Sequence, residues 1–211
     1  MLGAELVYSK KEERTQTLQA VFDEAERAGR EPYLIPYGGS NATGAAAYAF
    51  AFKELLDQGV RPDWIVFASS SGGTQAGLVL GRELFGGECE ILGISVDERG
   101  NVLRERVAKL AGETAEHLGE SFTFMQEQIQ VNDDYLGAGY GVMGEPEREA
   151  IRTFARFEGL LLDPVYTGRA AAGLLELIRK GFFSSGQTVL FWHTGGGPAL
   201  FARNYCMLLS G

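Results

Sequence analysis

The stretch DWIVFASSSGGTQAG, residues 63–77, joins a continuous apolar run directly to a loop of serines and glycines. An apolar run without alternation is typical of a strand that is covered on both faces, as in parallel sheets. The residues after the loop, roughly Gln75 to Phe85, are predicted as a helix. A strand, a glycine-rich loop and a helix in this order predict one repeat of an α/β fold.

The same alternation of strands and helices extends along the chain in both directions from this stretch. Further strands are predicted at Glu5–Tyr8, Glu90–Ser95 and Thr188–His193, and residues 132–143 are predicted as irregular. Helices are predicted from a cap at Ser9 to about Ala28, over Ala45–Leu56 with caps at Ser40 and Asn41, and over Val102–Leu118, Pro146–Glu158 and Ala170–Lys180. This pattern predicts an open, mostly parallel sheet with helices on both faces.

Composition and charge limit the class of protein. A chain of 211 residues that is 45% hydrophobic can bury one sizeable core, or one domain and part of another. Its net charge of -9 argues against a nucleic-acid partner. Cys89 and Cys206 lie far apart without metal-ligand spacing, which predicts free thiols in a reducing compartment. Without an apolar run of about 18 residues or the pattern of a signal peptide, a cytoplasmic protein with no membrane partner is expected.

The loop that follows Ala68 has the chemistry of an anion site. Glycines allow unusual backbone dihedrals and a close approach of a ligand. Exposed N–H groups at the start of a helix, with its positive dipole, bind phosphate, and the hydroxyls of Ser71 and Thr74 add donors. The loop lacks the lysine of a Walker loop and the spacing of G-x-G-x-x-G. The alternatives at this point are a tight turn and a phosphate-binding loop.

Two further motifs lie where predicted strands and helices meet. DPVYTG, residues 163–168, starts a helix and is either a turn with Thr167 as a cap and Pro164 as a rigid bend, or part of a site. HTGG, residues 193–196, follows the last apolar strand and is either a flexible turn or a loop that directs Thr194 into a crevice. Ligands of open α/β sheets bind at this edge.

These three motifs in this order, SSGGTQAG, DPVYTG and HTGG, resemble a group of pyridoxal-phosphate enzymes with the tryptophan-synthase β fold. The group is that of D-cysteine desulfhydrase and aminocyclopropane-carboxylate deaminase. IPYGGSNATG, residues 35–44, and GAELVY, residues 3–8, also fit it. The resemblance implies a lyase that uses pyridoxal 5'-phosphate, acts on a small amino acid and forms a homodimer.

The resemblance also implies roles for particular residues. Ser71, Gly72, Gly73 and Thr74 would bind the cofactor phosphate, and Thr194 would hydrogen-bond the pyridine nitrogen. Tyr166 would lie beside the ring and the substrate, with Tyr140 as a second catalytic tyrosine. The alternative for Tyr140 is a partly buried loop tyrosine.

The residue after Tyr166 bears on the substrate. The resemblance also places Thr167 among the cofactor-binding residues. Thr167 stands where the deaminases of the group carry an acidic residue. A neutral hydroxyl at the ring nitrogen suits early loss of a β-leaving group. The resemblance therefore favours elimination of D-cysteine to pyruvate, sulfide and ammonia, with a deaminase or a non-catalytic phosphate-binding module as alternatives. A nucleotide-binding domain with Asp97 on the ribose is a further alternative.

One expected residue has no match in this sequence. Enzymes of this type bind the cofactor covalently through a lysine, which the family places near its N-terminus. The lysines here are Lys10, Lys11, Lys53, Lys109 and Lys180, all in polar or amphipathic helical contexts. We therefore expect residues 1–38 to be the remainder of a small domain, residues 39–211 a large cofactor-binding domain, and an N-terminal third to be missing or supplied by another chain.

Overall fold

The computed structural model describes residues 3–209, the side chains of Lys11 and Leu208 excepted. It divides into two compact units, Met1–Pro36 and Tyr37–Gly211. In the first unit, a 3-10 turn at Lys11–Glu13 leads into helix α1, Arg14–Arg27, whose N-cap is Glu13 and not the predicted Ser9. The predicted strand at Glu5–Tyr8 is wrong. These residues are exposed and have neither helical nor strand structure, since a β-prone run forms a stable strand only beside a partner.

The second unit is built on a parallel sheet. Within the described residues it has four strands in the order β3-β2-β1-β4, every neighbouring pair being parallel. The predicted fold class is confirmed, and the strands predicted at residues 63–68, 90–95 and 188–193 form with small shifts of their ends. The three-residue strand β3 was not predicted. The strands are β1 Trp64–Ser69, β2 Glu90–Ser95, β3 Gln130–Asn132 and β4 Val189–Phe191.

Six α-helices accompany this sheet in the described part of residues 37–209. Asn41 caps the first of them, because its side chain accepts a hydrogen bond from the Gly44 N–H at 2.8 Å. Along residues 3–209, no helix is both long and apolar enough to cross a membrane. The helices are α2 Ala42–Asp57, α3 Gly73–Phe85, α4 Gly100–His117, α5 Glu145–Glu158, α6 Thr167–Arg179 and α7 Arg203–Leu209. Short 3-10 turns lie at Tyr37–Gly39, Gln126–Gln128 and Gly197–Phe201.

The central strand β1 is covered on both faces, as its unbroken apolar sequence predicts. Ile65 and Phe67 are fully buried in the cluster that includes side chains of α2, α3 and α4. Val66, which points to the opposite face, is fully buried with Ala170 and Leu174 of α6. Each such side chain contributes on the order of 2 kcal/mol of hydrophobic stabilisation. The strand is therefore firmly held, and the loop after it starts from a fixed point.

The strand order creates a crevice at one edge of the sheet. The chain leaves β1 to reach β2 on one side, whereas β4 pairs with β1 on the other side. Loops that follow β1 and β4 therefore diverge from neighbouring strand ends, at the kind of position where open α/β sheets bind ligands. The loop after β1 carries SSSGG, and the loop after β4 carries HTGG.

Candidate active site

A cavity of about 430 Å³ lies at this edge of the second unit. The loops after β1 and β4 form two of its walls, the turn before α2 and that helix form another, and Tyr166 completes it. Its volume lies in the range of sites that bind small molecules. Its lining consists of residues 68–74, residues 194–196, Tyr37, Gly38, Tyr48 and Tyr166.

The loop after β1 has the geometry of an anion-binding helix start. Gly72 is the N-cap of α3 and has a φ of 93°, in the left-handed region that side chains disfavour. The Ala76 N–H makes the first intrahelical bond, to the Gly72 carbonyl at 2.9 Å. The N–H groups before Ala76 have no acceptor within the helix, and the helix dipole makes this end positive. Thr74 therefore offers a phosphate its backbone N–H, its hydroxyl and a favourable field.

Ser40 connects this loop to the turn before α2. The Gly73 N–H donates to Ser40 Oγ at 3.1 Å, and Ser40 Oγ in turn donates to Ser71 Oγ at 2.7 Å. A β-carbon on Gly73 would lie 2.6 Å from Ser40 Oγ, so the approach requires glycine. Because Ser71 accepts the proton of Ser40, its own hydroxyl proton can be donated to a ligand in the cavity. Ser40 was predicted only as a helix cap.

The outer side of the same loop is held by charged groups. Ser70 Oγ donates to Asp97 Oδ2 at 2.9 Å, and Arg106 Nη1 donates to the Ser70 carbonyl at 3.1 Å. Arg106 also pairs with Glu98 at 3.2 Å. Asp97, proposed above as a ribose acceptor of a nucleotide, thus contacts the loop itself and is not part of the cavity lining. This contact weakens the nucleotide alternative.

DPVYTG folds around the carboxylate of Asp163, which is fully buried. Asp163 Oδ2 accepts the N–H groups of Val165 and Tyr166 at 2.8 Å each. Asp163 Oδ1 accepts the Thr167 N–H at 2.7 Å and the Thr167 hydroxyl at 2.8 Å. The N-cap residue of α6 is Tyr166, and the Asp163 carboxylate caps the first N–H groups of this helix from upstream, which holds Tyr166 at the cavity wall. The hydroxyl of Thr167 is used within this cap, and Thr167 does not line the cavity.

The HTGG loop packs directly on this cap. A β-carbon on Gly196, whose φ is 93°, would lie 2.6 Å from Asp163 Oδ1. The loop is also closed on itself, since the Gly195 N–H donates to His193 Nδ1 at 3.1 Å. Thr194, between these contacts, lines the cavity. Position 194 thus lies at the crevice, and the contact made by its hydroxyl stays a prediction.

The two predicted catalytic tyrosines meet at their phenol groups. Tyr140 OH and Tyr166 OH are hydrogen-bonded, and the two rings lie edge to face with centroids 5.9 Å apart. Tyr166 lines the cavity, whereas Tyr140 does not line it and is connected to it only by its hydrogen bond to Tyr166. Burial raises the pKa of the Tyr166 phenol well above its ordinary value, and the hydrogen bond to Tyr140 raises it further. Near pH 7 Tyr166 is a neutral phenol, as an ordinary tyrosine also is, and it can donate a hydrogen bond.

This raised pKa predicts a late ionisation of Tyr166. An unfolded chain releases the phenol proton near pH 10, but the folded chain retains it, so stability is lost as the pH rises above about 10. In a titration of phenolate absorbance, we expect Tyr166→Phe to remove a step that lies above the ordinary range. Tyr140→Phe should lower the pKa of Tyr166 only in part, because burial is the larger cause. If the titration step lost in Tyr166→Phe lies within or below the pKa range of ordinary tyrosines, this prediction is contradicted.

The lysines described in the second unit lie away from the cavity. Lys53, Lys109 and Lys180 are exposed on helices and pair with carboxylates of their own helices, Asp57, Glu113 and Glu176. None of these three lines the cavity. Within residues 37–209, no lysine is therefore placed to bond covalently to a ligand in the cavity.

Comparison with known proteins identifies the family. Residues 1–195 match the family described as pyridoxal-phosphate dependent enzyme, so the chain belongs to that family. A crystal structure described as an ACC deaminase homologue is 35% identical, with a TM-score of 0.87 over 99% of this chain and 63% of that chain. This chain thus spans about 63% of the length of that homologue.

More distant structures share the fold alone. O-ureido-L-serine synthase is 18% identical, with a TM-score of 0.59 over 99% of this chain and 64% of that chain. An O-acetyl serine sulfhydrylase isoform 3 from Entamoeba histolytica is 15% identical, with a TM-score of 0.58 over 96% of this chain and 58% of that one. The tryptophan-synthase β-like fold and the cofactor predicted from the three motifs are confirmed by these comparisons and the family match.

The cavity fits the phosphate and the ring of this cofactor. The start of α3 provides a backbone donor and the Ser71 and Thr74 hydroxyls for a phosphate. Gly72 permits the left-handed turn into α3 and its close packing on Val107. Thr194 also lines the cavity, where its neutral hydroxyl would meet a ring nitrogen. The particular roles of these residues remain predictions.

Proposed function

We propose that the chain is the cofactor-binding part of a pyridoxal-phosphate lyase that acts on D-cysteine or a related small amino acid. The observation that carries the proposal is the convergence on one cavity of a phosphate-binding loop, a neutral threonine and a protonated tyrosine. The similarity to an ACC deaminase homologue at 35% identity supports the same group of enzymes. When bound, the cofactor draws electrons from the α-carbon of an amino acid, which eases loss of the α-proton and of a β-substituent.

The residues of this chain would divide the work in a simple way. The N–H groups at the start of α3, with Ser71 and Thr74, bind and orient the phosphate. Thr194 would hydrogen-bond the ring nitrogen through an uncharged hydroxyl, without the charge of a carboxylate. Tyr166 holds a proton at its phenol oxygen and has Tyr140 as its hydrogen-bond partner. A proton donor beside a substrate suits protonation of a leaving group or of a carbon.

The choice between desulfhydrase and deaminase depends on the start of α6. Thr167 is neutral and its hydroxyl is held by Asp163, so no acidic side chain next to Tyr166 faces the cavity. In the group that this sequence resembles, an acidic residue at this position accompanies the deaminases. This absence favours the elimination of D-cysteine, and the deaminase remains the second candidate because of the homologue named above.

A ligand-dependent stability measurement tests the cofactor site. Ligand at 100 times its Kd stabilises a protein by about 2.7 kcal/mol, which for a chain of this size raises the unfolding midpoint by roughly 5–10 °C. We expect this gain with pyridoxal phosphate and little gain with pyridoxal, which lacks the phosphate. Intact mass after borohydride should show no adduct on Lys53, Lys109 or Lys180, and equal gains with both compounds would contradict the phosphate site.

Turnover then distinguishes the candidates. With the cofactor bound, release of sulfide and pyruvate from D-cysteine is expected from the proposed lyase. Ammonia and 2-oxobutyrate from aminocyclopropane carboxylate, without sulfide from D-cysteine, would establish the deaminase instead. A phosphate-dependent gain in stability with neither reaction would overturn the lyase and leave a cofactor-binding module.

A further inference from the structure

The segment that carries Tyr140 has no regular structure of its own. Residues 133–144 connect β3 to α5 without helix or strand, and Gly137, Gly139 and Gly141 all have positive φ values. Two hydrogen bonds form within the segment, from the Gly139 N–H to the Leu136 carbonyl and from the Val142 N–H to the Gly139 carbonyl. Its other backbone groups need partners outside it. The position of the Tyr140 phenol therefore depends on whatever holds the carbonyl groups on either side of it.

Arg169 of α6 provides most of these partners. Its side chain is fully buried, and it is among the largest side chains in the described residues to be so. Arg169 Nη1 donates to the Gly139 carbonyl at 3.1 Å and to the Val96 carbonyl, just after β2, at 2.9 Å. Arg169 Nη2 donates to the Val142 carbonyl at 2.8 Å. One guanidinium thus connects the sheet edge to both sides of Tyr140.

Two further side chains complete the arrangement. Glu147 of α5 pairs with Arg169 Nε at 2.8 Å, and its other oxygen accepts the Gly144 N–H at 2.8 Å, where the segment ends. Tyr205 of α7 donates its hydroxyl proton to the Gly141 carbonyl at 2.5 Å. The carbonyls at positions 139, 141 and 142 are therefore all held by side chains from elsewhere in the fold.

A buried ion pair of this kind is not explained by stability alone. Removing two charges from water costs about as much as their attraction returns, and well-packed apolar residues are often as stable in their place. An arginine fork, however, places several carbonyls at fixed positions, which neither an apolar side chain nor a lysine can do. Arg169 can therefore fix the positions of several carbonyls, which an apolar residue at this position could not do.

We infer that Arg169, held by Glu147, is a positioning residue that places the Tyr140 phenol on the Tyr166 phenol. Arg169 lies two residues beyond Thr167 on α6, so one short stretch of helix presents Tyr166 and also orients its partner. The importance of the tyrosine pair for catalysis rests on the proposed function. The positioning itself is a property of the protein without ligand and can be tested without turnover.

The test compares conservative variants of the purified chain. Arg169→Lys keeps the charge opposite Glu147 but has no planar fork for three carbonyls. Arg179→Lys is the matched control, because Arg179 also lies on α6 and forms an ion pair, here exposed, with a glutamate of α5, Glu149. Tyr140→Phe gives the reference for Tyr166 without its partner. Tyrosine ring-carbon NMR at neutral pH reports the phenol pair, and amide hydrogen exchange reports residues 139–142.

In Arg169→Lys we expect the Tyr166 resonance to move to its position in Tyr140→Phe, with amide exchange at residues 139–142 on the order of tenfold faster or more, the effect of one lost charge-assisted bond. Arg179→Lys should leave both readouts as in the wild type. If Arg169→Lys does not fold, the double variant Arg169→Met with Glu147→Met leaves no buried charge unpaired and carries the same expectation.

A folded variant that keeps the wild-type Tyr166 resonance would overturn the inference, even if it is less stable. Loss of stability alone would make Arg169 a structural residue of the loop. Because neither readout uses the cofactor or a substrate, this outcome is independent of whether the proposed lyase activity is found.

Discussion

Thr74→Asp is expected to abolish binding of pyridoxal phosphate while the fold is retained. Thr74 is the second residue of α3 and lines the cavity. A carboxylate in the first turn of a helix is favoured by the helix dipole, so the variant should be at least as stable as the wild type. The same carboxylate lies where the phosphate would bind, and at about 4 Å the repulsion between two unit charges near a protein surface is roughly 4 kcal/mol. This corresponds to a loss of affinity of about a thousandfold.

The measurement is the unfolding midpoint with and without pyridoxal phosphate at the same concentrations for each variant. Thr74→Ser is the matched control, because it keeps a hydroxyl at this position and should retain the gain in midpoint. Raising the ionic strength should restore little binding in Thr74→Asp, since a partly buried repulsion is weakly screened. An undiminished gain in Thr74→Asp would show that the cofactor phosphate does not bind at the start of α3.

The fold was predictable from sequence to the extent that burial leaves a local pattern. β2 begins and ends at the predicted residues 90 and 95, because the apolar residues within it are buried in clusters on both faces of the sheet. Strand β3 has only three residues and lies at the edge of the sheet, so its pairing with β2 leaves almost no local signal. Residues 5–8 show the opposite failure, since their β-prone composition has no partner strand among residues 3–209.

The cavity was predictable because each of its loops carries its own motif. Residues 71–74 and Thr194 were selected from local motifs, and Tyr166 from the family resemblance that those motifs support. The structure brings all of them together at one edge of the sheet. The supporting residues were missed for the opposite reason. Ser40 lies 31 positions from Ser71, its hydrogen-bond partner. Arg169 lies 73 positions from Val96, whose carbonyl it contacts. These supporting hydrogen bonds form only when distant segments pack together, so no local sequence pattern predicts them.

Among the supporting residues, Asp163 is the one whose substitution is expected to lower the free energy of unfolding most. Its carboxylate accepts three backbone N–H groups and one hydroxyl at the start of α6, and it is fully buried. Asp163→Ala would leave these donors without an acceptor in a site from which water is largely excluded. At 1–3 kcal/mol for each unsatisfied buried group, with partial relaxation, we expect a loss of about 4 kcal/mol in the free energy of unfolding. Urea denaturation measures this loss directly.

Two comparisons show whether the carboxylate has this effect. Asp163→Asn keeps the shape but turns one acceptor into a donor, so it should lose less than alanine and more than a surface variant. Asp57→Ala, at an exposed pair with Lys53, should cost less than about 1 kcal/mol. A loss of that small size in Asp163→Ala would contradict the prediction.

Because Gly196 packs against the same carboxylate, Asp163→Ala should also weaken the site beyond its effect on stability. The loop with Thr194 and the turn with Tyr166 both contact Asp163, and they form two walls of one cavity. Removing Asp163 should therefore reduce the gain in midpoint from pyridoxal phosphate even where the chain is still folded. A folded Asp163→Ala with the full gain would mean that these two walls hold their positions independently, and that the phosphate loop alone determines cofactor binding.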